Sequence, residues 1–419
     1  MCPTDYNDFN TNPCASNGYG LEFRRIRNHT HTGGVMKGRS RLVAVSAVAA
    51  AASLVLAACS SSKSSSPSSS SGAPAANTSA ASASAGAGGA GGGKIQAALI
   101  LKEFTNPYWI SMENAAKAEA AKLGVDLHVS AGKADDDATS QIQQIDAAIS
   151  AGYKGIIIAI NSDAVNTALQ RAKAAGLLVV VVDTPPIPAS IADVTYATDN
   201  LQAGLFIGKW MAQKLNGANA DIAMLDDLAN QVITVDVDRD HGFLQGMGIP
   251  VGNPNVNGQE PKSGHYTGGK GGSYKIACQL PTNGSATGGL SAMETCLSKD
   301  PNINVVYTIN EPAAKGAAQA LKNAGKTPGK DVTIVTIDGS CNYLSLLTSG
   351  EIGADSGQFP GKMAQLGVDA IAQFAKTGAK PSMPAGKDFI NTGVQLITAQ
   401  PQPGVDSVTP DQAKSSCWG

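Results

Sequence analysis

The sequence predicts an α/β protein built around two parallel sheets, each covered by helices on both faces. Three observations carry this. Apolar runs recur at 95–101, 125–129, 155–160, 177–182, 220–225, 274–277, 303–309 and 332–337. Ala-rich stretches with helical spacing lie between most of them, at 107–123, 136–150, 163–175, 201–215, 233–247, 286–298, 311–324, 341–349 and 360–376. The runs are continuously apolar rather than alternating, as strands buried on both faces are. So many strands in one chain point to two sheets rather than one.

The first strand, Ile95 to Leu101, leads into Phe104-Thr-Asn-Pro-Tyr-Trp109 and then into a helix from Ile110 to Leu123. Asn106, Tyr108 and Trp109 therefore sit at the carboxyl end of a strand, where open α/β sheets bind ligands. Two aromatics and an amide suit a flat polyol, with rings for its C–H faces and an amide for its hydroxyls. Two core aromatics beside a Pro at the first helical position is the alternative reading. Later strands end in the same manner. Asn161-Ser162-Asp163, Asp183-Thr184, Asp226-Asp227, Asn310-Glu311 and Asp338-Gly339 each follow an apolar run. Any one of these is also a good helix N-cap, Ser162 or Asp163 above all. Together they would face one another if two sheets met carboxyl edge to carboxyl edge.

The 419 residues carry a net charge of −2, with 15% charged residues, which leaves no nucleic-acid footprint. Seven Cys (2, 14, 59, 278, 296, 341 and 417) form neither a CxxC pair nor a metal-type cluster, so no metal is expected. Residues 36–58 read as a signal peptide: a basic stretch to Arg41, then an apolar stretch from Leu42 to Leu56 that is shorter than a membrane span. Leu56-Ala-Ala-Cys59 resembles a bacterial lipobox, which implies cleavage before Cys59 and a diacylglycerol on its sulfur. An ordinary signal peptide with an incidental Cys is the alternative. Residues 1–35 are polar, contain Asp5, Asp8 and Glu22, and do not belong to such a signal; they read as an upstream extension, with translation from Met36. Ser60 to Gly93 is almost wholly Ser, Ala and Gly. It cannot bury a core, so 59–93 is expected to be a lipidated Cys and a flexible tether with a reach of about 30 Å.

From Ile95 to about Ala399 the chain resembles the periplasmic sugar-binding proteins of the ribose/galactose type. The motifs are Thr105-Asn-Pro-Tyr-Trp109, Asn161-Ser-Asp-Ala-Val165, Val182-Asp-Thr184, Ala197-Thr-Asp-Asn200, Arg239-Asp-His-Gly-Phe243, Val306-Tyr-Thr-Ile-Asn310, Ile337-Asp-Gly339 and Gly357-Gln-Phe-Pro360, in the family's order. Asp238 to Gly246, Val305 to Pro312 and Ser416-Cys-Trp-Gly419 are most similar to fructose-binding components of bacterial ABC importers. The resemblance implies two Rossmann-like lobes joined by three hinge strands: lobe one at 94–198 plus 359–392, lobe two at 199–358 plus 393–400. It implies ring stacking by Tyr108 and Trp109 and hydroxyl contacts from Asn106, Asn161, Asp183, Asn200, Asn310, Asp338 and Gln358. Arg239 would donate to sugar oxygens, or else form a surface or interlobe ion pair with Asp236 or Asp240. Departures from the ribose pattern are Thr184 and Val237 where Arg is common, Ala159 where Asn is common, and Glu311 where Asp is usual. These weigh against ribose and leave fructose or a related hexose favoured.

In an exported chain the thiols that remain after Cys59, Cys2 and Cys14 are set aside should pair. The expected bridges are Cys278–Cys296 and Cys341–Cys417, the second pinning the tail 401–419 to lobe two. The stretch from Asn253 to Gly272 reads as a surface loop. Gly325-Lys-Thr-Pro-Gly-Lys330 lacks P-loop spacing, no GxGxxG follows the first strand, and neither GxSxG nor HExxH occurs. No catalytic residue, enzyme activity or cofactor is therefore expected. A repressor of the same lobed shape would carry a helix-turn-helix where this chain has an export signal. The implied partners are a monosaccharide, an ABC permease with its ATPase, and the outer face of the bacterial cytoplasmic membrane, with the protein a monomer. A sugar-sensing receptor component, or a binder of ribose, xylose or inositol, remains open.

Overall fold

A computed structural model describes residues 94–229 and 232–419. The expectations about the upstream extension, signal peptide, Cys59 and tether lie outside the described residues.

The apolar runs become strands for the reason their composition gives: both faces are covered. The first sheet takes β1 (Ile95–Leu101), β2 (Val125–Ala131), β3 (Gly155–Ile158), β4 (Leu178–Val182) and β5 (Val194–Ala197). The second takes β6 (Ala220–Asp226), β7 (Ser263–Tyr266), β8 (Gly272–Pro281), β9 (Val305–Thr308), β10 (Thr333–Asp338) and β11 (Ala354–Gly357). Two short strands follow, β12 (Ile390–Asn391) and β13 (Gln395–Ile397). The helices are α1 (Pro107–Leu123), α2 (Ala138–Ser150), α3 (Asn166–Ala174), α4 (Asn200–Leu215), α5 (Thr234–Met247), α6 (Ala286–Lys299), α7 (Glu311–Asn323), α8 (Leu344–Ser349), α9 (Pro360–Thr377) and α10 (Pro410–Ala413).

The first sheet runs β12-β5-β4-β3-β1-β2 and is parallel throughout. The second runs β13-β11-β10-β9-β6-β8-β7, with β7 and β13 antiparallel at the edges. Its parallel part, β8-β6-β9-β10-β11, repeats the order of β2-β1-β3-β4-β5. Both have a switch point beside their first strand, so both open a crevice at their carboxyl ends. The chain passes between the sheets three times, at 198–199, 358–359 and 392–394, and α9 returns to pack on α1 and β4. The protein is thus two Rossmann-like lobes joined by three crossing segments.

Alternate residues of each strand pack on opposite faces. Leu99, Ile157 and Val180 join Trp109, Met112 and Ile371 on one side of the first sheet, while Ile100, Ile158 and Val181 join Ile145 and Leu169 on the other. In the second lobe α4 and α5 cross in close contact. A Cβ on Gly204 would lie 2.2 Å from the Arg239 carbonyl oxygen, and one on Gly242 2.2 Å from that of Leu201. The hydrogen side chains let Arg239 and Asn200 approach each other.

The segment 253–272, read as a surface loop, contains β7, whose Tyr266 is buried and donates through its hydroxyl to the Ala218 carbonyl at 2.7 Å. Polar, Gly-rich flanks hid the strand. Both disulfides are present, Cys278–Cys296 and Cys341–Cys417, with Cα separations of 5.4 and 5.0 Å.

Candidate ligand cleft

Where the two sets of carboxyl ends meet, a cavity of about 30 Å³ is lined by Lys102, Asn106, Tyr108, Trp109, Asp135, Asp183, Asp227, Val235, Arg239, Ile309, Asn310, Asp338 and Gln358. A wider hollow of about 740 Å³ shares Asn106 and Asp135 with it and forms its mouth, bounded by Gly284, Glu311, Ser340, Tyr343 and Trp418. The lobes are therefore closed over a small polar chamber.

Local backbone chemistry aims the lining residues. Asn106 caps α1, its Oδ1 accepting the Tyr108 N–H at 2.9 Å, and Pro107 opens the helix. This turn puts Tyr108 and Trp109 into the chamber edge to face, with ring centroids 4.8 Å apart. The Tyr108 hydroxyl lies 2.8 Å from Asp183 Oδ1 and 3.1 Å from Gln358 Oε1. A phenol has one hydrogen, so the closer carboxylate takes it and the Gln358 oxygen keeps spare accepting capacity. Asp183 is held at φ 67°, a left-handed conformation unusual for a residue with a Cβ. Thr184 Oγ1 donates to its other oxygen at 2.7 Å.

On the second lobe, Asn310 caps α7 through Oδ1 and donates from Nδ2 to the Gly284 carbonyl at 2.9 Å. Arg239 is 4% exposed; its Nε donates to Asn200 Oδ1 at 2.8 Å, its Nη1 to the Ile309 carbonyl at 2.9 Å, and Nη1 stands 3.9 Å from Asp338. The surface-pair alternative with Asp236 or Asp240 does not occur. Asp236 instead accepts the Asp227 N–H, and Asp240 accepts from Gln279.

Charge in the chamber is close to balanced. Burial pushes Asp135 up to about 8 although Lys102 pulls it down, and pushes Asp338 up to about 7 against the pull of Arg239. Burial works against the Lys102 ammonium, but Asp135, Asp227 and Asp183 outweigh it and raise its pKa. Lys102 also stands 5.8 Å from the Trp109 ring centroid. Three buried polar atoms of the lining have no partner among the described residues: Trp109 Nε1, Asp135 Oδ1 and Asp227 Oδ1. One donor and two acceptors are thus left over, where most buried polar atoms find partners.

Of the residues expected to touch a ligand, Asn106, Tyr108, Trp109, Asp183, Arg239, Asn310, Asp338 and Gln358 line the chamber. Asn161 and Asn200 do not. The Asn161 N–H donates to Gln141 and its Nδ2 to the Ala134 carbonyl at 3.0 Å, so it holds the loop that carries Asp135. Asn200 stands behind Arg239 and fixes its guanidinium. The expected contact set left out Lys102, Asp135 and Asp227 of the chamber and Trp418 of its mouth. Lys102 directly follows β1, Lys133-Ala-Asp-Asp-Asp137 follows β2, and Asp227, already among the strand-end residues, follows β6, so the strand-end signal was there for three of them. Among the described residues no group of three His, Cys, Asp or Glu is placed to hold a metal ion.

A polar chamber closed between the carboxyl edges of two such lobes defines a bilobal binding protein. The chain belongs to the periplasmic binding protein domain family, which it matches over residues 97–380. The D-allose-binding periplasmic protein of Escherichia coli (strain K12) is 26% identical over 310 residues, spanning 72% of this chain and 91% of that protein. The D-apiose import binding protein of Actinobacillus succinogenes is 29% identical over 285 residues, 67% of this chain and 82% of the relative. Among solved structures, a galactofuranose binding protein superposes with a TM-score of 0.62 at 24% identity, over 77% of this chain and 96% of that one. The binding component of the arabinose ABC transporter from Shewanella sp. ANA-3, bound to arabinofuranose, gives 0.61 at 25% identity, over 76% and 93%.

Proposed function

We propose that this protein is the extracytoplasmic substrate-binding lipoprotein of an ABC sugar importer, and that it takes a neutral monosaccharide, fructose or a related hexose. The observation that carries this is the chamber itself: two aromatics, two cations and four carboxylates converge there, with one donor and two acceptors left without partners. Such a set pairs with the mixed donors and acceptors of sugar hydroxyls. With Asp135 and Asp338 held partly protonated, the wall has no excess charge for a sugar phosphate or sugar acid to neutralise. The relatives named for allose, galactofuranose and apiose import support a monosaccharide. Thr184 and Val237 leave out two of the cations common in ribose binders, which supports a hexose over ribose.

A sugar enters between parted lobes and is sealed by their closure. It shifts that equilibrium only by its differential affinity for the two forms. A permease then reads the closed form and its ATPase drives release into the cell. Cys59 would anchor the protein and 60–93 would tether it within reach of the permease. A second reading, a pentose in furanose form, is supported by the relatives named for ribose and apiose and by the bound arabinofuranose neighbour. Calorimetric titration with D-fructose, D-allose, D-ribose and L-arabinose separates the two. Tightest binding of fructose supports the first, and tightest binding of a pentose replaces it with the second.

A further inference from the structure

We propose that Trp418 is a latch that the C-terminal tail carries from the second lobe onto the first, and that it sets how readily the cleft opens. The tail is fastened to the second lobe beside Asp338. Cys417 is bonded to Cys341, the Cys341 N–H donates to the Trp418 carbonyl at 2.9 Å, and Ser340 and Trp418 form a short parallel bridge. The indole Nε1 donates to the Asp338 carbonyl at 2.8 Å. Its ring, however, packs with the hydrophobic cluster of the first lobe. It meets Tyr108 edge to face, with centroids 5.2 Å apart and planes at 84°. Trp418 is 9% exposed and walls the mouth beside Asn106.

One side chain is thus bonded to the lobe-two residue Asp338 and packed edge to face against the lobe-one residue Tyr108. Parting the lobes must break the second contact while the disulfide and the Nε1 bond keep the first. A contact made only when the cleft is closed favours the closed state by its own free energy. It also slows escape of whatever is inside. Tyr108 in turn holds Asp183 and faces Gln358, so the latch presses on a residue already joined to the ligand wall.

The ligand arm of the test rests on the sugar-binding reading; the shape arm does not. The full chain and its W418A, W418F and C341S/C417S variants are compared by small-angle X-ray scattering without sugar, and by calorimetric titration with D-fructose, D-allose, D-ribose and L-arabinose. The proposal expects W418A and C341S/C417S to show a larger radius of gyration than the parent and about tenfold or greater loss of affinity for the sugar the parent binds. W418F keeps a ring on Tyr108 but cannot donate to Asp338, so it should fall between; it carries the decision if W418A does not melt cooperatively. Unchanged scattering, with affinity within about threefold of the parent, would overturn the latch and leave the tail a structural pin. If the parent binds none of the four sugars, the sugar reading fails, and scattering alone decides the latch.

Discussion

Gln358 Nε2 donates to Asp338 Oδ1 at 2.8 Å, and this bond fastens a crossing segment to the wall of the chamber it passes. The other end of the same carboxamide faces the Tyr108 hydroxyl at 3.1 Å. One side chain therefore touches ligand-lining residues of both lobes from a hinge position. Anything that changes the angle between lobes must move Gln358 relative to one of them.

Gln358→Ala should weaken sugar binding by about tenfold, the cost of roughly one hydrogen bond to a charged group. It should also alter the radius of gyration of the sugar-free protein, because a hinge contact is lost along with a ligand contact. Calorimetry and scattering on the same variant check this. Weaker binding with unchanged shape would make Gln358 a wall residue only.

Asp183→Asn keeps the shape and the tolerance for a left-handed backbone but removes the charge. Affinity should drop by about 5- to 30-fold, since hydrogen bonds to a carboxylate exceed neutral ones by about 1–2 kcal/mol. The melting temperature should change little: the amide oxygen remains an acceptor for one of the Tyr108 and Thr184 hydroxyls, and the other can turn to accept from the new Nδ2.

Stability should depend on pH in an inverted sense for a carboxylate-rich site. Burial holds Asp135 at about 8 and Asp338 at about 7 in the fold, whereas unfolded carboxyls titrate near 4. Between about pH 4 and 8 the folded chain keeps more protons than the unfolded one, so its stability falls as pH rises through that window. Thermal melts at pH 5.5 and pH 8.5 should show the lower melting temperature at the higher pH. Sugar hydroxyls favour the charged carboxylates, so binding should release protons in this window and tighten as pH rises. Titrations in buffers of different ionisation enthalpy measure that release; proton uptake would contradict the assignment.

Removing the Cys278–Cys296 bridge, which spans 18 residues, should cost about 3 kcal/mol in the chain-entropy model. Cys278 on β8 and Cys296 on α6 lie in a buried cluster of the second lobe, and neither lines the chamber. The double Ser variant should melt lower but, once folded, bind sugar as the parent does.

How far the fold could be read from the chain follows from where the information lies. Strands β1, β3, β4, β9 and β10 announce themselves because helices on both sides force every residue to be apolar. Strand β11 reads Ala-Asp-Ser-Gly and β12 is only Ile390–Asn391; their pairing comes from neighbours distant in sequence, and nothing local marks them. The site shows the same division. Asn161 and Asn310 both follow an apolar strand, and Asn200 opens a helix after one. Only Asn310 reaches the chamber; Gln141 and Ala134 take up Asn161, and Arg239 takes up Asn200. A strand-end Asn marks the neighbourhood, and tertiary packing decides whether it faces ligand or protein. The bridge from Cys417 to Cys341, 76 residues away, could be expected from the sequence, but nothing local marks the reach of Trp418 to Tyr108.

The proposed sugar site lies between the lobes. Its most direct test is a calorimetric titration of the full chain with D-fructose, D-allose, D-ribose and L-arabinose, repeated on Asp183→Ala and Asn310→Ala. Saturable one-site binding is expected, micromolar or tighter and strongest for D-fructose, lost or much weakened in both variants. Absence of binding to every one of these sugars, or binding that both variants leave untouched, would contradict it.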